Sequence, residues 1–184
     1  MKKLLQVTFL AISLTLMACP YESDVPISTY DEAVKTDKKL LGEWVSFNED
    51  GSKQELSISK LKKGVLLILH KTFGKNNKFE AGNKYRIFGY KAGESTIFNV
   101  ESKDGKYRYC KYDWTSKNEI YVQFINASFM SNNFKEDTVT TKNLKSFFVN
   151  NINNEELYDK KLEFYRKYSP EYEKVRLFMQ KSGF

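Results

Sequence analysis

The sequence predicts a mainly β protein: an antiparallel up-and-down β-barrel of about eight strands, with a short helix before the last strand and a helix at the C-terminus. Three observations lead there. From Leu40 onward the dominant pattern is period-two alternation of apolar and polar residues, the mark of half-buried strands. The alternating stretches are short, and clusters of Gly, Asn, Asp and Ser separate them at regular intervals. A sheet of so many strands left open would expose two edges, which closure removes. Composition agrees: 184 residues, 41% hydrophobic, 15% aromatic and 29% charged, too apolar for a disordered chain and too charged for a polytopic membrane protein.

Residues 41–48 (LGEWVSFN) form the first strand and end at Glu49-Asp50-Gly51-Ser52. In 53–60, Leu56 and Ile58 share one face and Ser57 and Ser59 the other; 64–72 (GVLLILHKT) is apolar on both faces at its centre. After Gly74-Lys75-Asn76-Asn77 come 83–90, 95–101 and 106–114, each closed by a turn cluster, and then 119–126. Ile120, Val122 and Phe124 lie on one side of the last of these. Then the period changes. Leu144, Phe147 and Phe148 recur at helical spacing within 142–150, with Thr141 or Thr140 as cap. Residues 160–168 return to alternation, Leu162 and Phe164 inward, as an eighth strand able to close on the first. Ser169-Pro170 opens the final helix with a serine cap, proline at N1 and Glu171 and Glu173 in its positive first turn.

Residues 1–18 have a different role. Lys2 and Lys3 precede an uncharged, mostly apolar run from Leu4 to Met17. Fourteen helical residues rise only about 21 Å, short of the roughly 30 Å hydrocarbon core, so the run fits a secretory signal better than a permanent span. Leu16-Met17-Ala18-Cys19 resembles the lipobox of bacterial lipoproteins. Met17 stands where that family usually has a small or hydroxylated residue. The resemblance implies cleavage before Cys19 and a covalent lipid on its thiol; an ordinary signal peptide would leave Cys19 as a free thiol. Two or three acyl chains anchor almost irreversibly, at about 0.8 kcal/mol per buried methylene. Pro20 in place of Asp implies outer-membrane retention, on the periplasmic face or the cell surface. Tyr21-Glu22-Ser23-Asp24 resembles, over a short stretch, the acidic export signals of Bacteroidota surface lipoproteins. The Cys-Pro-Tyr-Glu-Ser start and Leu40-Leu41-Gly42-Glu43-Trp44 together resemble uncharacterised flavobacterial lipoproteins, which implies no activity.

Cleavage removes two lysines and no acid, so the net charge falls from +7 to +5. Residues 19–39 hold two of the three prolines and no sustained period. They read as a lipid-anchored flexible tether with an r.m.s. span of roughly 25 Å, followed by the barrel domain at 40–184. With Cys19 lipidated, Cys110 has no partner and is expected to be a buried, inert residue.

Gly42-Glu43-Trp44 gives G-x-W, which resembles the lipocalin signature. That resemblance implies that Trp44 plugs the closed end of the barrel and that Arg166, on the last strand, stacks on it. The helix before the last strand departs from the lipocalin pattern, and the plainer alternative is a core tryptophan. Lys106-Tyr107-Arg108-Tyr109-Cys110-Lys111-Tyr112 alternates basic and aromatic residues. Tyr107, Tyr109 and Tyr112 are candidates for stacking on a ligand, a glycan rather than nucleic acid for an exported protein; the alternative is an amphipathic barrel strand. His70 is the sole histidine, and no nucleophile, zinc or phosphate-loop motif accompanies it.

The functional expectation is therefore a non-catalytic lipoprotein with no cofactor or metal beyond the lipid on Cys19, its barrel taking a small apolar or amphipathic ligand. The alternative is an interaction module that binds an envelope protein or cell-wall glycan through its outer face. A hollow barrel with a cavity of about 300 Å³ or more is what the first requires.

Overall fold

The computed structural model describes residues 20–135 and 137–183. The alternating stretches become β2 (Gly42–Phe47), β3 (Lys53–Lys62), β4 (Val65–Phe73), β5 (Phe79–Ala92), β6 (Ser95–Glu101), β7 (Tyr107–Ser116), β8 (Glu119–Phe124) and β9 (Leu162–Arg166). Each pairs antiparallel with its neighbour in chain order, and β9 pairs with both β8 and β2. Eight strands thus close on themselves, with Trp44 opposite Arg166 at the closing seam. A two-residue strand, β1 (Glu22–Ser23), lies beside the start of β7, along the edge that β8 does not cover.

The described residues also form three α-helices: α1 (Ala127–Asn133), α2 (Thr141–Asn151) and α3 (Pro170–Lys181). α2 starts as its sequence dictates, with a capping box between Thr140 and Asn143. Ser169 caps α3 by accepting from the Tyr172 backbone N–H at 3.1 Å. α1 is absent from the sequence reading, because seven residues give too little period to see; Asn126 caps it. Among the described residues no helix is long and apolar enough to cross a membrane.

Apolar side chains gather on both sides of the barrel wall. Inside, Trp44, Leu40, Ile58, Leu66, Ile120 and Phe164 pack together at one end. Outside, Ile97 and Tyr109 are buried with Phe129 and Met130 of α1, Leu144 and Phe148 of α2, and Ile27.

Ile27 is the correction to the expected tether. Residues 20–40 run along the wall rather than free of it. Ile27 and Ser28 are wholly buried, and the Asn99 side chain holds both: its Oδ1 accepts from Ile27 N–H at 2.8 Å, and its Nδ2 donates to Ser28 Oγ and the Phe88 carbonyl, each at 3.2 Å. Val34 N–H donates to the Gly89 carbonyl at 3.0 Å. That close approach needs a glycine, since a Cβ at Gly89 would meet Val34 Cγ2 at 2.9 Å. Glu22 and Asp24, read as part of an export signal, form ion pairs with Arg108 and Lys106. Lack of a periodic pattern does not mean lack of anchoring: a few buried side chains spaced irregularly are enough to dock a segment.

Candidate functional site

Strand alternation sends every second residue into the barrel. Leu56 and Ile58 of β3, Leu66 and Ile68 of β4, Ile87 of β5 and Val100 of β6 line one side of the interior; Cys110, Tyr112, Val122, Phe124 and Leu162 line the other. They enclose a cavity of about 570 Å³, within the ~300–1,000 Å³ range of small-molecule sites. The barrel is hollow.

One end is sealed. Trp44 is 0% exposed, and its Nε1–H donates to the Leu40 carbonyl at 2.8 Å. The Arg166 guanidinium lies over the indole, 4.5 Å from the ring centre. Its Nη1 donates to the Leu41 carbonyl at 3.1 Å and its Nη2 to the Lys39 carbonyl. Gly42 makes room for this clamp: its φ of +124° lies in the region that favours glycine, and a Cβ would meet Arg166 Nη1 at 3.1 Å. Trp114 packs 5.7 Å from Trp44, and its Nε1–H donates to Asp37 at 3.2 Å.

The other end is polar and open. Gln54, His70, Tyr85, Arg108, Asp159 and Lys160 line the cavity there, together with Pro20. His70 Nε2 and Gln54 Oε1 are 3.0 Å apart, and burial pulls the imidazole below its usual pKa, so it is neutral near pH 7. Arg108 Nε donates to Glu22 at 3.0 Å. Burial raises the Asp159 carboxyl, opposed by the bond it accepts from Asn126 Nδ2 at 2.7 Å. Pro20 is held at this rim by a bridge to Asn126 and by Tyr21 N–H donating to the Ile125 carbonyl at 3.0 Å.

Trp44 and Arg166 therefore meet, at the closed end. Tyr112 faces the cavity, its hydroxyl pushed up to about 12 by burial and then by the charges of Asp37 and Asp113. Tyr107 and Tyr109 do not join it. They point to the opposite face of β7, because odd and even positions of a strand cannot share a side. Tyr109 is fully buried under the outer layer, where its hydroxyl donates to the Val25 carbonyl and its ring packs 5.3 Å from Phe148. A stacking surface for a glycan is not available there. Cys110 faces the cavity as a buried thiol that burial raises to about 12. Cys19 lies outside the described residues. Among the described residues no three His, Cys, Asp or Glu side chains converge as a metal site.

Asn99 was missed, and it is the buried polar group that docks the N-terminal segment. Its mark in the sequence is an asparagine between Phe98 and Val100 inside an otherwise apolar strand. A second, more polar cleft of about 900 Å³ lies near the closed end, between residues 34–39 and the ends of β6 and β7. It follows from a short ladder: β6 and β7 pair only from Phe98–Cys110 to Glu101–Tyr107.

No protein-family model matches the chain, and no curated protein matches it. Among solved structures it is similar to a de novo designed fluorescence-activating β-barrel, with 13% identity and a TM-score of 0.39, over 73% of this chain and 99% of the designed one.

Proposed function

We propose that the protein is a non-catalytic lipoprotein of the cell envelope whose barrel holds one small apolar or amphipathic molecule. The observation that carries this reading is the hollow interior: about 570 Å³, walled by aliphatic and aromatic side chains, sealed at the Trp44 end and polar at the other. Its size suits roughly twenty water-sized groups at ~30 Å³ each. Its polarity gradient suits a molecule with an apolar body and a polar head left at the rim. The lipid anchor rests on Leu16-Met17-Ala18-Cys19. The non-catalytic reading rests on the lack of a catalytic motif and on His70 facing an amide rather than a carboxylate.

An environment-sensitive apolar fluorophore tests the cavity. It should bind with one-to-one saturation and be displaced by single-chain amphiphiles. Val122→Trp, which adds bulk inside the cavity, should abolish uptake without unfolding the barrel. Uptake unchanged in that variant places the binding elsewhere and refutes the reading.

A protein partner is the second reading. It is favoured by Tyr168, Leu177 and Phe178, which stand exposed on and beside α3. Crosslinking in envelopes would recover one dominant partner, lost in Phe178→Ser, if that reading holds.

A further inference from the structure

We infer that the open end of the barrel is docked on the lipid surface, so that the cavity exchanges its occupant with the membrane rather than with the aqueous phase. The inference rests on the lipid-anchor reading and goes beyond it, because an anchor on a flexible spacer would fix no orientation.

The structure removes the spacer. Pro20 lines the cavity mouth and is tied to Asn126. Residue 19 is its covalent neighbour, and consecutive Cα atoms lie about 3.8 Å apart. A lipid on Cys19 therefore leaves the molecule at the rim of the open end.

One point of attachment permits tilting; a second does not. The β4–β5 hairpin supplies it. By strand direction its turn, residues 74–78, lies at the same end as Pro20, and β5 runs on past Arg86, its last residue paired with β6, out to Phe79. Those seven residues make about 20 Å of strand. At the tip Phe79 is 56% exposed; its ring lies edge-on to Phe73 at 5.9 Å and beside Gly82, with exposed Lys75 and Lys78 near it in the chain. An exposed aromatic flanked by lysines is how a soluble domain grips the headgroup region of an anionic bilayer. Lys160 and Lys161 add positive charge beside the mouth, set against Glu80 on the hairpin, Asp104 on the neighbouring turn, and Glu49 and Asp50 on the β2–β3 turn, where Asp50 comes near Lys75. The opposite end, which Trp44, Leu40 and the Arg166 clamp seal, also carries an exposed apolar residue among lysines, Leu61 beside Lys60, Lys62 and Lys63, so it is the position of Pro20 at the mouth that assigns the open end to the bilayer.

Site-resolved quenching tests this on the intact lipidated protein, reconstituted into phosphatidylcholine vesicles containing phosphatidylglycerol. Phe79→Cys and Lys160→Cys report on the open end and Leu61→Cys on the sealed end. Each carries a bimane, and the lipids carry a headgroup-level spin label. Wild-type protein, whose Cys110 is buried, gives the labelling background. Strong quenching at 79 and 160 with none at 61 is expected. Lys75→Glu/Lys78→Glu should reduce quenching at 79 while the protein stays in the membrane fraction, each lysine being worth about fivefold in surface affinity. Equal quenching at the two ends, or stronger quenching at 61, overturns the orientation. Palmitate labelling separates the two readings: labelled protein quenched at 61 refutes the orientation alone, and protein without label refutes the anchor and the orientation with it.

Discussion

Arg166→Met should loosen the sealed end of the barrel by a calculable amount. Arg166 gives two hydrogen bonds to backbone carbonyls, those of Leu41 and Lys39, and covers the Trp44 ring. Bonds from a charged donor contribute ~1.5–3 kcal/mol each when buried; Arg166 is half-buried, so solvent screening reduces each to about 1 kcal/mol. The stacked guanidinium adds ~0.5–1 kcal/mol. Methionine keeps the apolar stem and loses the rest, so the expected loss is about 2–3 kcal/mol of a total that is typically ~5–15. For a domain of this size that lowers the melting midpoint by roughly 5–10 °C. Urea unfolding followed by circular dichroism gives the free energy directly. Arg166→Lys should recover less than half of it, because an ammonium has neither the planar face nor the forked donors. A double-mutant cycle with Trp44→Phe should show coupling of about 0.5–1 kcal/mol. A loss under ~0.5 kcal/mol, or full rescue by lysine, would show that the clamp does not hold this end.

Asn99→Ala leaves the buried Ile27 N–H without its acceptor; a cost of about 2–4 kcal/mol is expected, with faster amide exchange across residues 20–34 while β3–β5 stay protected. The pH response follows from His70, whose folded pKa lies below its unfolded value because burial disfavours the charged ring. The unfolded state then binds the proton first, so stability is full above about pH 6.5 and falls as pH drops through the folded pKa. His70→Phe should flatten that slope in chemical unfolding measured from pH 8 to pH 5. Cys110, raised to about 12 by burial, should resist alkylation in the native protein and react at the rate of opening as denaturant is added. Cys19→Ser should abolish palmitate incorporation and release the protein from the membrane fraction; label retained in that variant would contradict lipidation at residue 19.

The barrel was legible because its information is local. Alternation such as Leu56-Ser57-Ile58 and Ile120-Tyr121-Val122 sets which side chains face in, and turn clusters set where strands end. The pairing of Trp44 with Arg166 was implied by the resemblance of G-x-W to the lipocalin signature rather than by local pattern, and the closing register places the two residues opposite each other. The candidate aromatic cluster was read less well. Tyr107, Tyr109 and Tyr112 are near in sequence, but strand parity puts the first two on the outer face, and Tyr109 vanishes beneath α2. Which face of a strand with aromatics on both sides is covered depends on α1, α2 and the N-terminal segment, all distant in the chain. The docking of residues 20–40 had the same cause: Ile27 and Asn99 are 72 positions apart, and no local pattern joins them. That the interior is hollow was also beyond the sequence, since 28 aromatic side chains suffice to fill a small barrel, and several of them instead pack outside its wall.

Native mass spectrometry of the intact protein released from its own membranes tests the occupancy of that hollow interior most directly. One extra non-covalent mass per chain is predicted, lost on denaturation and missing from Val122→Trp. The bare lipidated chain in both proteins, with no amphiphile taken up on addition, would contradict the barrel's role as a container.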